Sequence, residues 1–261
     1  KTLLAENFFL QEKYNISEEI YQSTKLIGEV YSWHSSKSIA TILLKTSNKE
    51  KAILNLKSKF NSLKNKNFEH YYELANFYKD NKYYEESIEY YSLTLNKINK
   101  NHFLVSKILY RRGSSYEKIG KWTNAEKDLQ ESLKVSPDQA YVLNYLAYSW
   151  IEKKMNIKKS LKMLKQADSL KKDDPYITDS LGWAHFMNKN YNEAEKYLQR
   201  AVILMPYDPV INDHYADVLW MLNKKIQARY FWKHAINVKN IKKELKDSVS
   251  KKIFFGIPEK L

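Results

Sequence analysis

The 261-residue chain contains no cysteine. Disulfides and thiolate metal sites are therefore excluded, and the redox compartment is left open. Glycine and proline are scarce, with five of each. A β-rich protein needs many more turn residues, so the shortage favours helices. No apolar run reaches the roughly 18 residues that a membrane-spanning helix requires. No secretory leader pattern is visible. The motifs HExxH and GxSxG, the phosphate loop and the dinucleotide-binding glycine pattern are all missing. Neither catalysis nor a cofactor is expected.

Cations and aromatic rings are what the chain has in excess. Lysine and arginine number 44 against 30 acidic residues, a formal net charge of +14. Such a balance admits a nucleic-acid binder. However, Lys, Asn, Ile and Tyr are abundant while Ala, Gly and Arg are few. That pattern reads more simply as a coding bias that writes lysine wherever a solvated face tolerates it. The 21 tyrosines are large bodies suited to filling gaps between packed helices.

A repeat organises these residues. Small residues, all but Gly113 following an apolar one, recur at Ala5, Ala40, Ala75, Gly113, Ala147, Gly182 and Ala216, at steps of 35, 35, 38, 34, 35 and 34 residues. A second small residue lies twelve further on in each unit: Ser17, Ala52, Ser87, Ala125, Ala194 and Ala228, with Ser160 thirteen on after a one-residue insertion. Four beyond it stands a bulky residue such as Tyr21, Leu129 or Trp232, and three beyond that a small residue, out of character only at Lys59. Antiparallel helices whose axes lie about 8–10 Å apart need small side chains where they cross. The spacing therefore predicts helical hairpins joined by short polar turns. A lone hairpin cannot bury its apolar face, so neighbours must stack.

This spacing resembles the tetratricopeptide repeat (TPR) family. The fourth unit matches its pattern with Gly113, Tyr116, Ala125, Leu129, Ser132 and Pro137, and the sixth with Gly182, Ala194, Leu198, Ala201 and Pro206. His185 stands where the family usually has tyrosine. The resemblance implies an all-α, right-handed α-solenoid of about seven hairpins. Their bounds are about 1–32, 33–67, 68–105, 106–139, 140–174, 175–208 and 209–240. A capping helix over 241–255 lays Ile241, Leu245, Val249 and Ile253 on the last hairpin, and Gly256 and Pro258 end it, leaving a tail at 256–261. The 38-residue step places extra residues near Asn96–Phe103, in a longer helix or turn. Asn144–Tyr148, Asp179–Trp183 and Ile211–Trp220 also resemble the ends of long bacterial TPR proteins, some of them exported to the cell envelope. The register set by Ala5 starts unit one about three residues before Lys1, so further units are expected upstream.

Several residues are candidates for chemistry. His185, His214 and His234 fall in the last two units, but a metal needs three or four convergent ligands, and no metal is expected. Asp173–Asp174 and Glu85–Glu86 fit helix starts better than acid–base pairs. The stretch Lys153–Lys172 holds eight lysines, which a solvated convex face explains. The cluster Lys239, Lys242, Lys243, Lys246, Lys251 and Lys252 reads as a solubilising cap, or as a contact for an anionic membrane surface.

The TPR architecture lines its concave groove with the first helix of each hairpin. By register, the first half of that groove presents Lys37, Lys45, Lys79 and Lys118 against Asp80 and Glu117. The second half presents Asn144, Tyr148, Glu152, Asp179, Trp183, Phe186, Asp213, Asp217 and Trp220, with no cation. Outward aromatic rings mark binding surfaces, and carboxylates beside them suit a basic or amine-bearing segment. The expected site is therefore Asn144, Tyr148, Asp179, Trp183, Phe186, Asp213, Asp217 and Trp220, with Trp183 and Trp220 as anchors. A competing reading packs these rings against neighbouring hairpins or against 241–255 folding back. The known carboxylate grip of some TPR proteins matches poorly here. Its positions hold Lys37, Thr41, Glu73, Lys107 and Arg111, without its two asparagines. The favoured function is a scaffold that binds a protein or peptide. The alternative is a nucleic-acid or anionic membrane-surface binder using the convex lysines and the C-terminal helix.

Overall fold

A computed structural model describes residues 1–46 and 48–257. Among these residues there are fifteen α-helices and no strand. The hairpins are α1 (Thr2–Leu10) with α2 (Tyr14–Thr24), α3 (Glu29–Lys45) with α4 (Lys49–Ser62), α5 (Phe68–Asp80) with α6 (Tyr84–Lys97), and α7 (Leu104–Lys118) with α8 (Trp122–Val135). They continue as α9 (Ala140–Glu152) with α10 (Ile157–Leu170), α11 (Pro175–Met187) with α12 (Tyr191–Leu204), and α13 (Pro209–Met221) with α14 (Lys225–Ile236). The last helix, α15 (Lys243–Phe255), packs on α14. Each hairpin contacts the next along the chain, the second meeting the third through Lys37 with Glu73 and Phe60 with Tyr71, which makes the molecule an α-solenoid.

The small landmarks lie at the crossings. Ala5, Ala40, Ala75, Ala147 and Ala216 are fully buried, as are Ala52, Ala125, Ala194 and Ala228 opposite them. Where serine or threonine replaces alanine, most hydroxyls find a partner inside the crossing. Ser17 Oγ donates to the Ala5 carbonyl at 2.7 Å, Ser87 Oγ to Ser115 Oγ at 2.8 Å, and Ser132 Oγ to the Ser106 carbonyl at 2.9 Å. Buried hydroxyls are costly when unpaired, and Ser160 Oγ is the crossing hydroxyl left without a partner. Gly182 is the tighter of the two glycine landmarks, since a Cβ there would lie 2.6 Å from Leu198 Cγ.

Turn chemistry follows the register. Six of the seven hairpin turns place a described residue at positive φ: Glu12, Lys82, Gly120, Lys154, Lys189 and Asn223. Only one of these is glycine, so most turns hold a left-handed conformation against its steric cost. The insertion in unit five lies in this turn, which runs 153–156 and holds a second left-handed residue, Asn156. The extra residues of the 38-residue step are shared between two places. The α6–α7 connection is six residues long, whereas those before α9, α11 and α13 have four. In addition, α7 begins nine residues before Gly113, while α9, α11 and α13 begin seven before their landmarks. Asp174 and Asp208 cap α11 and α13, each accepting from two backbone N–H groups ahead of a proline, and Glu85 and Glu86 fall in the first turn of α6. These acidic residues satisfy helix starts, where such groups are stabilising.

The C-terminal helix departs in part from the expected solvated cap. Val249 is fully buried, and Leu245 and Ile253 are half-buried against the last hairpin. Gly256 ends the helix at φ +73°, and a Cβ on it would fall inside the indole ring of Trp220. Pro258 lies outside the described residues. The correction concerns Lys252. Its ammonium is not solvated but turned inward, as described below.

Candidate functional site

The first helices of successive hairpins share one side of the molecule, and two cavities open there. One, of 360 Å³, is formed by α7, α9, α11 and α13. Asn144, Tyr148 and Asp179 of the expected site line it, together with Glu117, Tyr145 and Glu152. Its volume is in the ordinary range for ligand pockets.

The groups around this cavity are polar and strongly ordered. Asn144 Oδ1 is buried and has no hydrogen-bond partner. Burial, with the carboxylates of Glu152, Asp179 and Asp213, pushes the Tyr148 phenol well above its usual range, so it remains a neutral donor. Tyr145 donates to Glu117 at 3.0 Å. Asp179 is 5% exposed and meets His214 Nδ1 with both oxygens, at 2.9 and 3.0 Å. Burial alone would lower the His214 pKa. The facing carboxylates of Asp179, Asp213 and Asp217 outweigh it and raise the pKa, which favours the imidazolium. The indole of Trp183 stacks on that ring at 4.1 Å and on Phe186 at 4.6 Å. Its Nε1 donates to Glu152 at 2.8 Å. The result is a three-ring stack beside the cavity, with a charge-favouring imidazole at one end.

The remaining expected residues have internal partners. Phe186 is 3% exposed and belongs to the core. Asp213 and Asp217 both accept from Lys252 Nζ, at 2.7 to 2.9 Å over their four oxygens. Trp232 Nε1 also donates to Asp217, at 2.9 Å. Burial and the Asp213 carboxylate push the Asp217 carboxyl up to about 6, against the opposing pull of Lys252 and Trp232. Burial opposes charge on Lys252, but the two aspartates raise its pKa. Trp220 lies under Gly256 and packs at 5.4 Å from Trp232, with Arg229 and Lys225 over its ring at 5.0 and 5.2 Å. The acidic half of the groove therefore does contain a cation, supplied by α15. A signal for this was present. Continuing the period by 34 residues from Ala216 lands on Ser250, after the apolar Val249. Thus α15 occupies the place of the first helix of an eighth unit, and its inner face meets α13.

The second cavity, of 1110 Å³, is lined by α3 and α5 residues including Trp33, Lys37, Lys45, Tyr72 and Asn76. Its acids are engaged. Glu73 accepts from Lys37 at 2.8 Å and from Trp33 Nε1 at 2.5 Å, and Asp80 accepts from Arg111 at 2.5 Å. Lys37, Glu73 and Arg111, three positions of the carboxylate grip, are thus turned to internal pairing.

Other sequence candidates resolve simply. The eight lysines of 153–172 are exposed. Three of them lie over the chain's own rings: Lys153 on Trp122, Lys159 on Trp150 and Lys171 on Tyr141, at 4.9, 4.9 and 4.4 Å. His185 stacks on Tyr197 at 5.5 Å, and burial lowers its pKa. Among the described residues no group of three or more His, Cys, Asp or Glu could hold a metal, and no helix is long and apolar enough to cross a membrane.

Stacked helical hairpins with a lined concave side define an α-solenoid of the scaffold class. A family model described as Tetratricopeptide repeat matches residues 39–237, and the chain belongs to that family. A TPR repeat-containing protein of Pseudomonas aeruginosa is 32% identical over 99 residues, which are 38% of this chain and 17% of that protein's length. The match thus spans a small part of that relative. Among solved structures, a tetratricopeptide repeat protein from Parabacteroides merdae superposes with a TM-score of 0.71 at 17% identity, covering 95% of this chain and 94% of its own. MamA from Desulfovibrio magneticus RS-1 gives 0.57 at 18% identity, over 69% of this chain and 96% of its own. At such identities these likenesses speak to the fold alone. The fold supports a protein-interaction scaffold in general terms.

Proposed function

We propose that the chain is a protein-interaction scaffold that holds an extended, basic or amine-bearing polypeptide segment in the cavity between α7, α9, α11 and α13. The observation that carries this reading is the composition of the cavity wall. Glu117, Glu152, Asp179 and Asp208 line it against Lys118 and Lys153, and the buried Asn144 Oδ1 has no partner. An extended segment has backbone N–H groups to offer such an acceptor. Tyr145 and Tyr148 supply rigid apolar wall at little entropic cost. Lysine or arginine from the segment answers the carboxylates.

In this reading the eight expected residues divide by task. Asn144, Tyr148 and Asp179 touch the segment. Trp183 holds Glu152 and His214 in place behind them. Phe186, Asp213, Asp217 and Trp220 form the supporting layer that α15 closes. A peptide-display selection on the folded chain should return segments enriched in lysine or arginine. Asn144→Ala or Tyr148→Ala should weaken the selected peptide by about 2 kcal/mol, as at other anchoring positions, with the melting temperature little changed. Selection of acidic segments, or an affinity indifferent to both substitutions, would overturn the proposal.

A further inference from the structure

The C-terminal end of the solenoid carries a surface that the groove does not use. Phe254 and Phe255, the last two residues of α15, are 76% and 84% exposed, with ring centroids 6.4 Å apart. Arg229 Nε donates to the Ile253 carbonyl at 3.0 Å, which fixes α14 beside the final turn of α15. On α14, Ile226 and Tyr230 are also exposed, at 84% and 63%. The same end is basic. Lys242, Lys243, Lys246 and Lys251 are exposed on or beside α15, while Lys252 alone of that cluster is drawn inward to Asp213 and Asp217. Lys251 stands three and four residues before the two phenylalanines, the spacing that puts side chains on one helix face.

We propose that this face docks on an anionic lipid surface, with Phe254 and Phe255 entering the headgroup–acyl boundary and the lysines lying against the charged headgroups. The chemistry singles out lipid. Exposed rings and an isoleucine lose water into an apolar layer without needing a complementary pocket, and lysines beside them add attraction to anionic lipid. A second copy of the same face would bring its lysines against each other, which is repulsive. A nucleic acid would use the lysines but leave Ile226 and both rings without a matching apolar layer. The formal net charge of +14 extends the attraction beyond the patch itself. Docked this way, the array meets the bilayer by its C-terminal end. The concave cavity lies on other elements, so this inference does not rest on the groove reading.

Co-sedimentation of the full chain with vesicles tests it. Vesicles of phosphatidylcholine with phosphatidylglycerol should pull the chain down, phosphatidylcholine alone should not, and moderate salt should release it. Phe254→Ser and Phe255→Ser should each weaken binding about tenfold or more, and each of Lys243→Gln, Lys246→Gln and Lys251→Gln about fivefold. All five side chains are exposed, so melting temperatures should not move. Vesicle binding that is unchanged in the double phenylalanine variant would overturn the proposal. So would a dimer, seen by analytical ultracentrifugation without lipid, that the phenylalanine variants abolish, because the face would then belong to a second copy. Binding to a single-stranded oligonucleotide that needs the lysines but not the rings, with no vesicle binding, would overturn it in favour of a polyanion site.

Discussion

Lys252 and Asp217 meet at 2.7 Å across the last inter-helix contact of the array, α15 against α13. The Lys252 side chain is 20% exposed, and those of Asp213 and Asp217 are 9% and 7% exposed. A buried ion pair adds little beyond what well-packed apolar groups would give, but removing one partner leaves the other charged and dry. Lys252→Ala should therefore destabilise the C-terminal units by about 3 kcal/mol, read from the urea midpoint of Trp fluorescence. Adding Asp213→Asn and Asp217→Asn should recover part of that loss. A single variant with unchanged stability would show that the two aspartates are solvated.

Gly182 and Gly113 occupy equivalent crossings but differ in room. A Cβ at 182 would meet Leu198 Cγ at 2.6 Å, whereas at 113 the nearest atoms lie at 3.1 and 3.2 Å. Gly182→Ala should cost about 1–3 kcal/mol through overpacking. Gly113→Ala should cost less, since alanine also relieves the unfolded-state freedom of glycine. Thermal melts of the two variants decide the order, and equal losses would contradict it.

Ser160 carries a buried hydroxyl with no partner, at a register position filled by alanine in units two, four, six and seven. Ser160→Ala should stabilise the fold by about 1 kcal/mol. Ser17→Ala should not, because Ser17 Oγ is bonded to the Ala5 carbonyl. Chemical denaturation of both variants checks the contrast.

The pH dependence follows from His214. Its folded pKa is raised above the unfolded value of 6.5, so the native state binds the proton more tightly. The stability that this supplies is complete below 6.5 and is lost as pH rises through the folded pKa. The advantage of wild type over His214→Gln should therefore be full below pH 6.5 and shrink as pH rises above it through the folded pKa. Asp217 adds a second slope of the same sign. Its pKa is raised from 3.8 to about 6, so its contribution is complete below 3.8, is lost as pH rises through about 6, below the window of His214, and should vanish in Asp217→Asn. A wild-type advantage that is flat in pH would argue against the Asp179–His214 pair.

Much of this was legible in the sequence because crossings impose a strict demand on size. Every landmark alanine, from Ala5 to Ala228, is a buried crossing residue, and the register also found Asn144, Tyr148 and Asp179 on the cavity wall. What spacing leaves unread is which partner a side chain meets. Asp213 and Asp217 occupy groove positions, yet a cation 39 and 35 residues later in the chain claims them. The lysine count concealed it, since Lys252 looks like its neighbours until the helix face is fixed by Val249. Trp220 is a similar case. Its ring takes a groove position and is then roofed by Gly256, a residue whose identity suggested only a helix end.

The Lys252 contact has a consequence for the order in which the chain becomes complete. A ribosome delivers Asp213 and Asp217 first and their counter-ion 39 and 35 residues later. Until α15 emerges, the two carboxylates stand side by side in a nascent seventh hairpin, repelling one another and open to water. The seventh hairpin therefore has its buried acids neutralised only by the helix that follows it, so each of these two charges depends on a segment made after it.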